Sequence, residues 1–318
     1  MKVAKRLKGA FWVLWKAMRL ALGSDYYHLP QPKGKFMARN AVRGYYNDLR
    51  LKADWPGERD EEGIPVSRTS TGKRLYFPTT LTQYGLGHYD KWLETRDETH
   101  RREFMKIAQW LAEHQDEQGG WDAFGQIDIN AVHPYSAMVQ GQAVSLLLRA
   151  YQETNNVQYR EASVKALDLM LKPVEEGGTA RYRDGELFLE EVVQESQNPV
   201  LNGWIFAIFG IWDYVLLIPT SRAREVLTET LSTLAKYLDR YDRGYWSNYD
   251  WQGSIASPFY HTLHIALLEA LYELSGEEIF GKTARQWVTY QKSLLNRSRA
   301  ALQKLWEKAL APQEVVSG

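Results

Sequence analysis

Residues 244–264 read GYWSNYDWQGSIASPFYHTLH. This stretch packs five tyrosines and tryptophans and two histidines around a Gly253-Ser254 break. A core strand or helix would not tolerate that much polarity unless most of it were paired. An aromatic, hydroxyl-rich loop feeding a helix instead makes a wall for a sugar, with ring faces for stacking and phenols for hydrogen bonding. The same order, a helical segment, a glycine and then an aromatic, occurs at Gly119-Gly120-Trp121 and at Gly177-Gly178-Thr179-Ala180-Arg181-Tyr182 as well as at Gly244-Tyr245-Trp246. A recurrence of roughly 60 residues is the length of a helical hairpin and points to an internal repeat. Each glycine is expected to end its helix in a left-handed cap, with the aromatic turning the loop back over the bundle. Hairpins repeated in this way predict a mainly α fold, an α/α toroid or incomplete (α/α) barrel whose loops line a central cleft. A plain helical bundle is the alternative.

Apolar residues at three- and four-residue spacing predict helices over 97–116, 136–153, 158–172, 202–217, 221–240, 258–275 and 277–293. Before them, residues 24–80 carry prolines at 30, 32, 56, 65 and 78, which predicts short strands and turns such as Tyr45–Leu51 and Leu75–Phe77. The chain thus divides into a basic amphipathic helix (1–23), a β-rich segment (24–90), the α/α toroid (91–295) and a C-terminal amphipathic helix with a polar tail (296–318).

The first 22 residues hold six Lys or Arg and no acid. On a helix, Val3, Leu7, Phe11, Leu14, Met18 and Leu22 share one face and the cations lie opposite. This is the pattern of an interfacial helix, and Lys16 and Arg19 interrupt any spanning run. A cytoplasmic protein held peripherally at a membrane surface is the expectation, with an export signal as the alternative.

With 318 residues, 44% apolar and 25% charged, the composition is that of an ordinary globular protein. Zero net charge offers no overall field to attract nucleic acid. Twelve tryptophans and nineteen tyrosines favour a carbohydrate partner, although any single aromatic is better read as core. The absence of cysteine excludes disulfides, thiolate metal sites and thiol nucleophiles. His261 and His264 stand three apart on a helix, but no third ligand stands beside them, so no metal is expected. Phosphate-cradling loops, nucleophile elbows and dinucleotide fingerprints are absent as well.

Six stretches carry a resemblance. They are Gly44-Tyr45-Tyr46-Asn47-Asp48-Leu49; Thr82-Gln83-Tyr84-Gly85-Leu86-Gly87-His88-Tyr89; Gly119-Gly120-Trp121; Tyr135-Ser136-Ala137-Met138-Val139-Gln140-Gly141-Gln142-Ala143; Leu201-Asn202-Gly203-Trp204; and Tyr249-Asp250 followed by Tyr260-His261-Thr262-Leu263-His264. In order, across about residues 40–295, they resemble the D-glucuronyl C5-epimerase family in its C-terminal α/α domain and the short β-rich part before it. The larger N-terminal β-domain of the animal enzymes has no counterpart in the match.

The resemblance implies inversion at C5 of a uronic acid inside a heparosan-like polysaccharide, converting D-glucuronate to L-iduronate without a cofactor. Such chemistry asks for a base on one face of C5, a proton donor on the other, and a cation or convergent donors for the developing enolate. Carried over by position, the catalytic residues fall on Glu191, Tyr249 and Tyr260, with Asn202 at the opening of a helix, which it would also cap. Glu190 beside Glu191 is expected to push one carboxyl pKa upward, towards general-base duty. Tyr84, His88, Tyr135, Gln140, Arg181, Arg183, His261 and Trp246 are put forward with Asn202 as substrate contacts. Two positions depart from the family pattern: Val192 stands where a tyrosine usually follows the second glutamate, and Trp251-Gln252 where an arginine usually follows the Tyr-Asp pair. Arg181, Arg183, Arg43, Lys73 or Arg74 is then expected to supply the missing charge. Two other functions compete with epimerase: a uronate lyase, which begins with the same proton abstraction, and a catalytically inactive glycan-binding subunit of an exopolysaccharide assembly. A symmetric homodimer is the family-level expectation.

Overall fold

The computed structural model describes residues 29–310, except 70, 128 and 129; the basic stretch 1–23 and the tail after 310 lie outside the described residues. Among the described residues the fold is built from helical hairpins. They are α1 (Pro78–Thr95) with α2 (Glu98–Glu113), α3 (Ala137–Thr154) with α4 (Val157–Leu171), α5 (Leu201–Leu217) with α6 (Ser221–Tyr237), and α7 (Pro258–Ser275) with α8 (Glu278–Lys292); α9 (Leu294–Leu310) follows. Three hairpins turn tightly on a left-handed residue: Arg96 (φ 58°), Asn155 (φ 56°) and Gly276 (φ 79°). In the first two an Asp97 or Asn156 side chain then caps the next helix.

Helices α1, α3, α5 and α7 form an inner row, α3 packing on α1 and α5 and α5 on α7, while α2, α4, α6 and α8 each back their partner. The sequence distinguishes the two rows. On α5 every residue from Leu201 to Ile211 is buried, as a helix surrounded by protein requires. On α2 the buried positions Phe104, Ile107, Ala108 and Leu111 recur at three- and four-residue spacing, leaving a polar outer face. The architecture is an incomplete α/α toroid. The inner row is held closely at one crossing: a Cβ on Gly141 of α3 would lie 2.6 Å from Ala207 Cα, and one on Gly210 of α5 would lie 2.5 Å from Gly141 Cα.

Because each hairpin reverses the chain, the N-termini of the inner helices share one end of the toroid, together with the long loops 114–136, 172–200 and 238–257. At the opposite end, near the C-termini of α3 and α5, Arg149 and Asp213 form a fully buried ion pair at 2.6 Å. Arg149 also donates to the backbone oxygens of Arg43, Gly44 and Ser145, and the Tyr46 hydroxyl donates to Asp213 at 2.6 Å. The Gly44–Leu49 motif is therefore an anchor at the end remote from the loops.

Three local expectations differ from the structure. The Tyr45–Leu51 segment is not a strand, because Tyr45 and Tyr46 are swallowed by the core and a 3₁₀ turn follows at Arg50–Ala53. Helix α1 occupies a region read as β-rich. Its two glycines hide it from propensity, and both are there for close approach: a Cβ on Gly85 would meet Leu146, and one on Gly87 the Leu49 carbonyl. The glycines at 119, 177 and 244 do have positive φ, yet α2, α4 and α6 end earlier, at His114, Lys172 and Leu238. Gly177 caps only the short 3₁₀ turn Val174–Glu176, and Gly119 and Gly244 shape loops rather than cap helices. The strands are few: β1 (Glu58–Arg59), β2 (Pro65–Arg68) and β3 (Arg74–Leu75) in one antiparallel sheet, and the β4 (Ala180–Arg183)–β5 (Glu186–Leu189) hairpin. No described helix is long and apolar enough to cross a membrane.

Candidate active site

Strand β5 delivers Glu190 and Glu191 to the loop end of the inner row. The Glu190 carbonyl accepts from the N–H of Ala137, the first residue of α3, at 2.9 Å. The Leu201 N–H, opening α5, donates to the Tyr249 carbonyl at 3.0 Å. Ser257 caps α7 by accepting from the Tyr260 N–H at 3.3 Å. Three helix starts thus fix the segments that carry Glu191, Asn202, Tyr249 and Tyr260.

Asn202 Nδ2 donates to Glu191 Oε2 at 3.2 Å. Val200, not Asn202, is the N-cap, so this amide serves the carboxylate rather than the helix end. Glu191 is 8% exposed, and burial raises its pKa to about 7, the Asn202 hydrogen bond opposing the shift. Glu190 is fully buried and also raised to about 7 by burial, although Arg181 pairs with it at 3.0 Å and the Asn198 N–H donates to it. The expected mutual repulsion of the two carboxyls is absent as a cause. The neighbouring side chains meet different partners, and desolvation acts on each separately.

The rings of Tyr249 and Tyr260 meet edge to face, centroids 4.7 Å apart. Burial first, then the charge of Glu191 and the Tyr260 side chain, hold the Tyr249 phenol well above its ordinary pKa and therefore protonated. The structure brings together a near-neutral carboxyl, an amide that orients it and a pair of phenols.

The other proposed contacts are placed elsewhere or are already engaged. His261 is fully buried, stacked on Trp246 at 3.8 Å, and accepts from the Ser247 N–H at Nδ1. Burial lowers its pKa to about 3, so it is neutral. Trp246, 1% exposed, donates to the Ala256 carbonyl. Both are buried and shape the 244–256 loop from behind. Gln140 is buried and donates to the Gly119 and Ala166 carbonyls. Tyr84 donates to Glu103, and His88 is paired with His100 through Nδ1 at 2.8 Å. Tyr135 is half-buried at the loop end and donates to Asp116. Of the cations expected to supply charge, Arg181 is committed to Glu190 and the Gln194 carbonyl, Arg74 to Glu58, and Arg183 is largely exposed beside Asp184. Arg43 and Lys73 are exposed. Among the described residues no group of three or more His, Asp or Glu is arranged to hold a metal.

The sequence leaves α9 free to pack on the domain, pair with a partner or join the N-terminal helix at a membrane, and the structure packs it on the domain. This helix lies against the 244–256 loop, burying Ala300 in a cluster with Tyr245, Trp246 and Ile255. Glu307 accepts from the Ile255 N–H, and the Tyr245 hydroxyl donates to Gln303. Lys304 Nζ stands 5.9 Å from the Tyr249 ring centre. Its only trace in the sequence is amphipathicity, which does not say what the helix packs on.

Residues 115–289 match the family described as D-glucuronyl C5-epimerase C-terminus. A D-glucuronyl C5-epimerase of Caenorhabditis elegans is 28% identical over 220 residues, covering 61% of this chain and 36% of that protein. An uncharacterized protein of Methanocaldococcus jannaschii is 30% identical over 155 residues, covering 48% of this chain and 50% of its own. The chain thus spans half or less of the length of these curated relatives. Among solved structures, cellobiose 2-epimerase of Spirochaeta thermophila aligns with a TM-score of 0.45 and 12% identity over 73% of this chain and 71% of that one. By the family match over more than half its length, the chain belongs to the D-glucuronyl C5-epimerase C-terminal family.

Proposed function

We propose that this chain inverts C5 of a uronic acid within a polysaccharide, in the manner of D-glucuronate to L-iduronate conversion. The observation that carries the reading is a buried carboxyl, Glu191, held by the Asn202 amide and near enough for its charge to raise the Tyr249 phenol, with Tyr260 edge to face on Tyr249; burial lifts that carboxyl to about 7. A general base works best when its pKa lies near the working pH.

The C5 hydrogen is weakly acidic because it lies next to a carboxylate. Glu191, steadied by Asn202, takes this proton, and the C5–H electron pair moves into the C6 carboxylate to form an enolate. The Tyr260 hydroxyl returns a proton to C5 from the opposite face and is left as phenolate, with the protonated Tyr249 beside it to donate a hydrogen bond. The sugar neither gains nor loses atoms. Glu191 ends with one proton more and Tyr260 with one fewer, and exchange with water restores both. The reverse reaction uses the same groups with their roles exchanged.

Incubation of uronate polymers in deuterated water tests the reading. Deuterium at C5 without chain cleavage is expected. Unsaturated chain ends would replace the epimerase with a lyase, and binding without exchange would leave a glycan-binding subunit.

A further inference from the structure

We infer that the pocket between the β2–β3 strands, the end of α2 and the 121–126 loop is a second sugar site, which takes an uncharged pyranose unit of the polysaccharide. The inference rests on the reading that a polysaccharide is the substrate, and not on which of its bonds reacts. The pocket encloses about 360 Å³, within the range of about 300–1,000 Å³ usual for small-molecule sites. Buried Val66, Leu75, Pro78 and Trp121 give it apolar walls. None of Glu191, Asn202, Tyr249 and Tyr260 lines it, so it stands apart from the proposed reacting centre.

Its ring faces are arranged in advance. The His114 ring lies flat on Trp110, with centroids 4.3 Å and planes 7° apart. It is held there because Nδ1 donates to the Trp110 carbonyl at 2.9 Å, which leaves Nε2 for a ligand. Tyr76, 40% exposed, tilts against Trp110 at 5.4 Å and is fixed by its hydroxyl, which donates to Asp60 at 2.8 Å. Such faces suit the C–H side of a pyranose, and rings already locked lose little freedom when it binds.

The charges favour an uncharged unit over a uronate. Arg74 is paired with Glu58 at 2.7 Å. Asp122 accepts from the Gly125 N–H at 2.6 Å through Oδ1, while Oδ2 has no hydrogen-bond partner among the described residues. A sugar hydroxyl donates to such an oxygen, whereas a uronate carboxylate is repelled by it. Gln126 adds an amide donor and acceptor to the same wall. That wall is pinned to the segment carrying Glu191. The Ala123 N–H donates to the Pro134 carbonyl at 2.9 Å, the Val132 N–H to that of Val193 at 2.7 Å, and the Ala137 N–H to that of Glu190 at 2.9 Å. Both sites therefore belong to the loop end of the toroid, and a polymer of alternating charged and uncharged units can offer a different unit to each.

The test uses the full chain with two decasaccharides: heparosan, in which uncharged N-acetylglucosamine alternates with glucuronate, and oligoglucuronate, in which every unit is charged. Affinities are measured by calorimetry for the wild type, His114→Ala and Tyr76→Ala. Each substitution is expected to weaken heparosan binding by about tenfold, as loss of one stacking ring does, with an unchanged melting temperature. Oligoglucuronate should bind the wild type and both variants alike. Unchanged heparosan affinity in the variants, or no heparosan binding by the wild type, would overturn the inference. So would equal weakening of both decasaccharides, the mark of a disturbed fold or an unselective groove. Should Tyr76→Ala lower the melting temperature through loss of the Asp60 contact, the exposed His114 decides. A wild type that binds heparosan through these rings but exchanges no deuterium at C5 would instead overturn the epimerase reading and leave the sugar site standing.

Discussion

Glu191 lies directly on Gly203. A Cβ at position 203 would come within 2.5 Å of the Glu191 Cβ, and closer still to its Oε2. The glycine of the Leu201-Asn202-Gly203-Trp204 motif is thus the floor on which the proposed base rests. Gly203→Ala should displace the carboxylate. A shift of about 1 Å is worth roughly a hundredfold in turnover, so C5 exchange should fall by about that factor while the chain stays folded. Exchange kinetics beside a circular dichroism melt check this.

Tyr260→Phe keeps the ring against Tyr249 and removes the proposed proton donor. Exchange should fall by about 10²- to 10⁴-fold, the usual worth of one general acid, with substrate binding little altered. Full exchange in this variant would remove Tyr260 from the mechanism.

The pH dependence follows from the raised carboxyl. A base of pKa about 7 gives an exchange rate that climbs as pH rises through neutrality. The stability effect has the opposite direction. The folded value lies above the ordinary 4.5, so the folded state holds the proton more tightly and loses stability as pH rises from about 4.5 to about 7. Glu191→Gln should remove on the order of 3 kcal/mol of cost at pH 8 and change little at pH 4. Denaturant melts at the two pH values measure the difference.

The remote ion pair predicts a stability effect without an active-site change. Arg149→Met leaves Asp213 buried with only the Tyr46 hydroxyl for company. A loss of about 3–5 kcal/mol is expected. Replacing both Arg149 and Asp213 by apolar residues should recover much of it, which urea titration of the single and double variants would show.

The helical hairpins were legible because the outer helices alternate apolar and polar faces and the loops repeat a glycine and an aromatic. Helix α1 was not, since Gly85 and Gly87 answer to neighbours distant in the chain, Leu146 and Leu49. Glu191, Asn202, Tyr249 and Tyr260 were named from motif resemblance, but the reason for the Glu191 shift was misjudged. Adjacency in sequence suggested repulsion from Glu190, whereas burial, a property of the whole fold, is the cause. His261 and Trp246, polar and aromatic residues beside a site motif, are buried and support the loop from within. Lys304 was invisible because its meeting with Tyr249 spans 55 residues of chain, 249 to 304.

The crossing of α3 and α5 at Gly141 and Gly210 sets a mechanical limit on the cleft. Backbone touches backbone there, with no side chain between to act as a lubricant or a shim. The wall that bears Asn202 and anchors the Glu190–Glu191 segment therefore behaves as one stiff piece. The 244–256 loop is tied to that piece through the Leu201 N–H and the Tyr249 carbonyl, so α9, which lies across the loop, is held against a rigid backing.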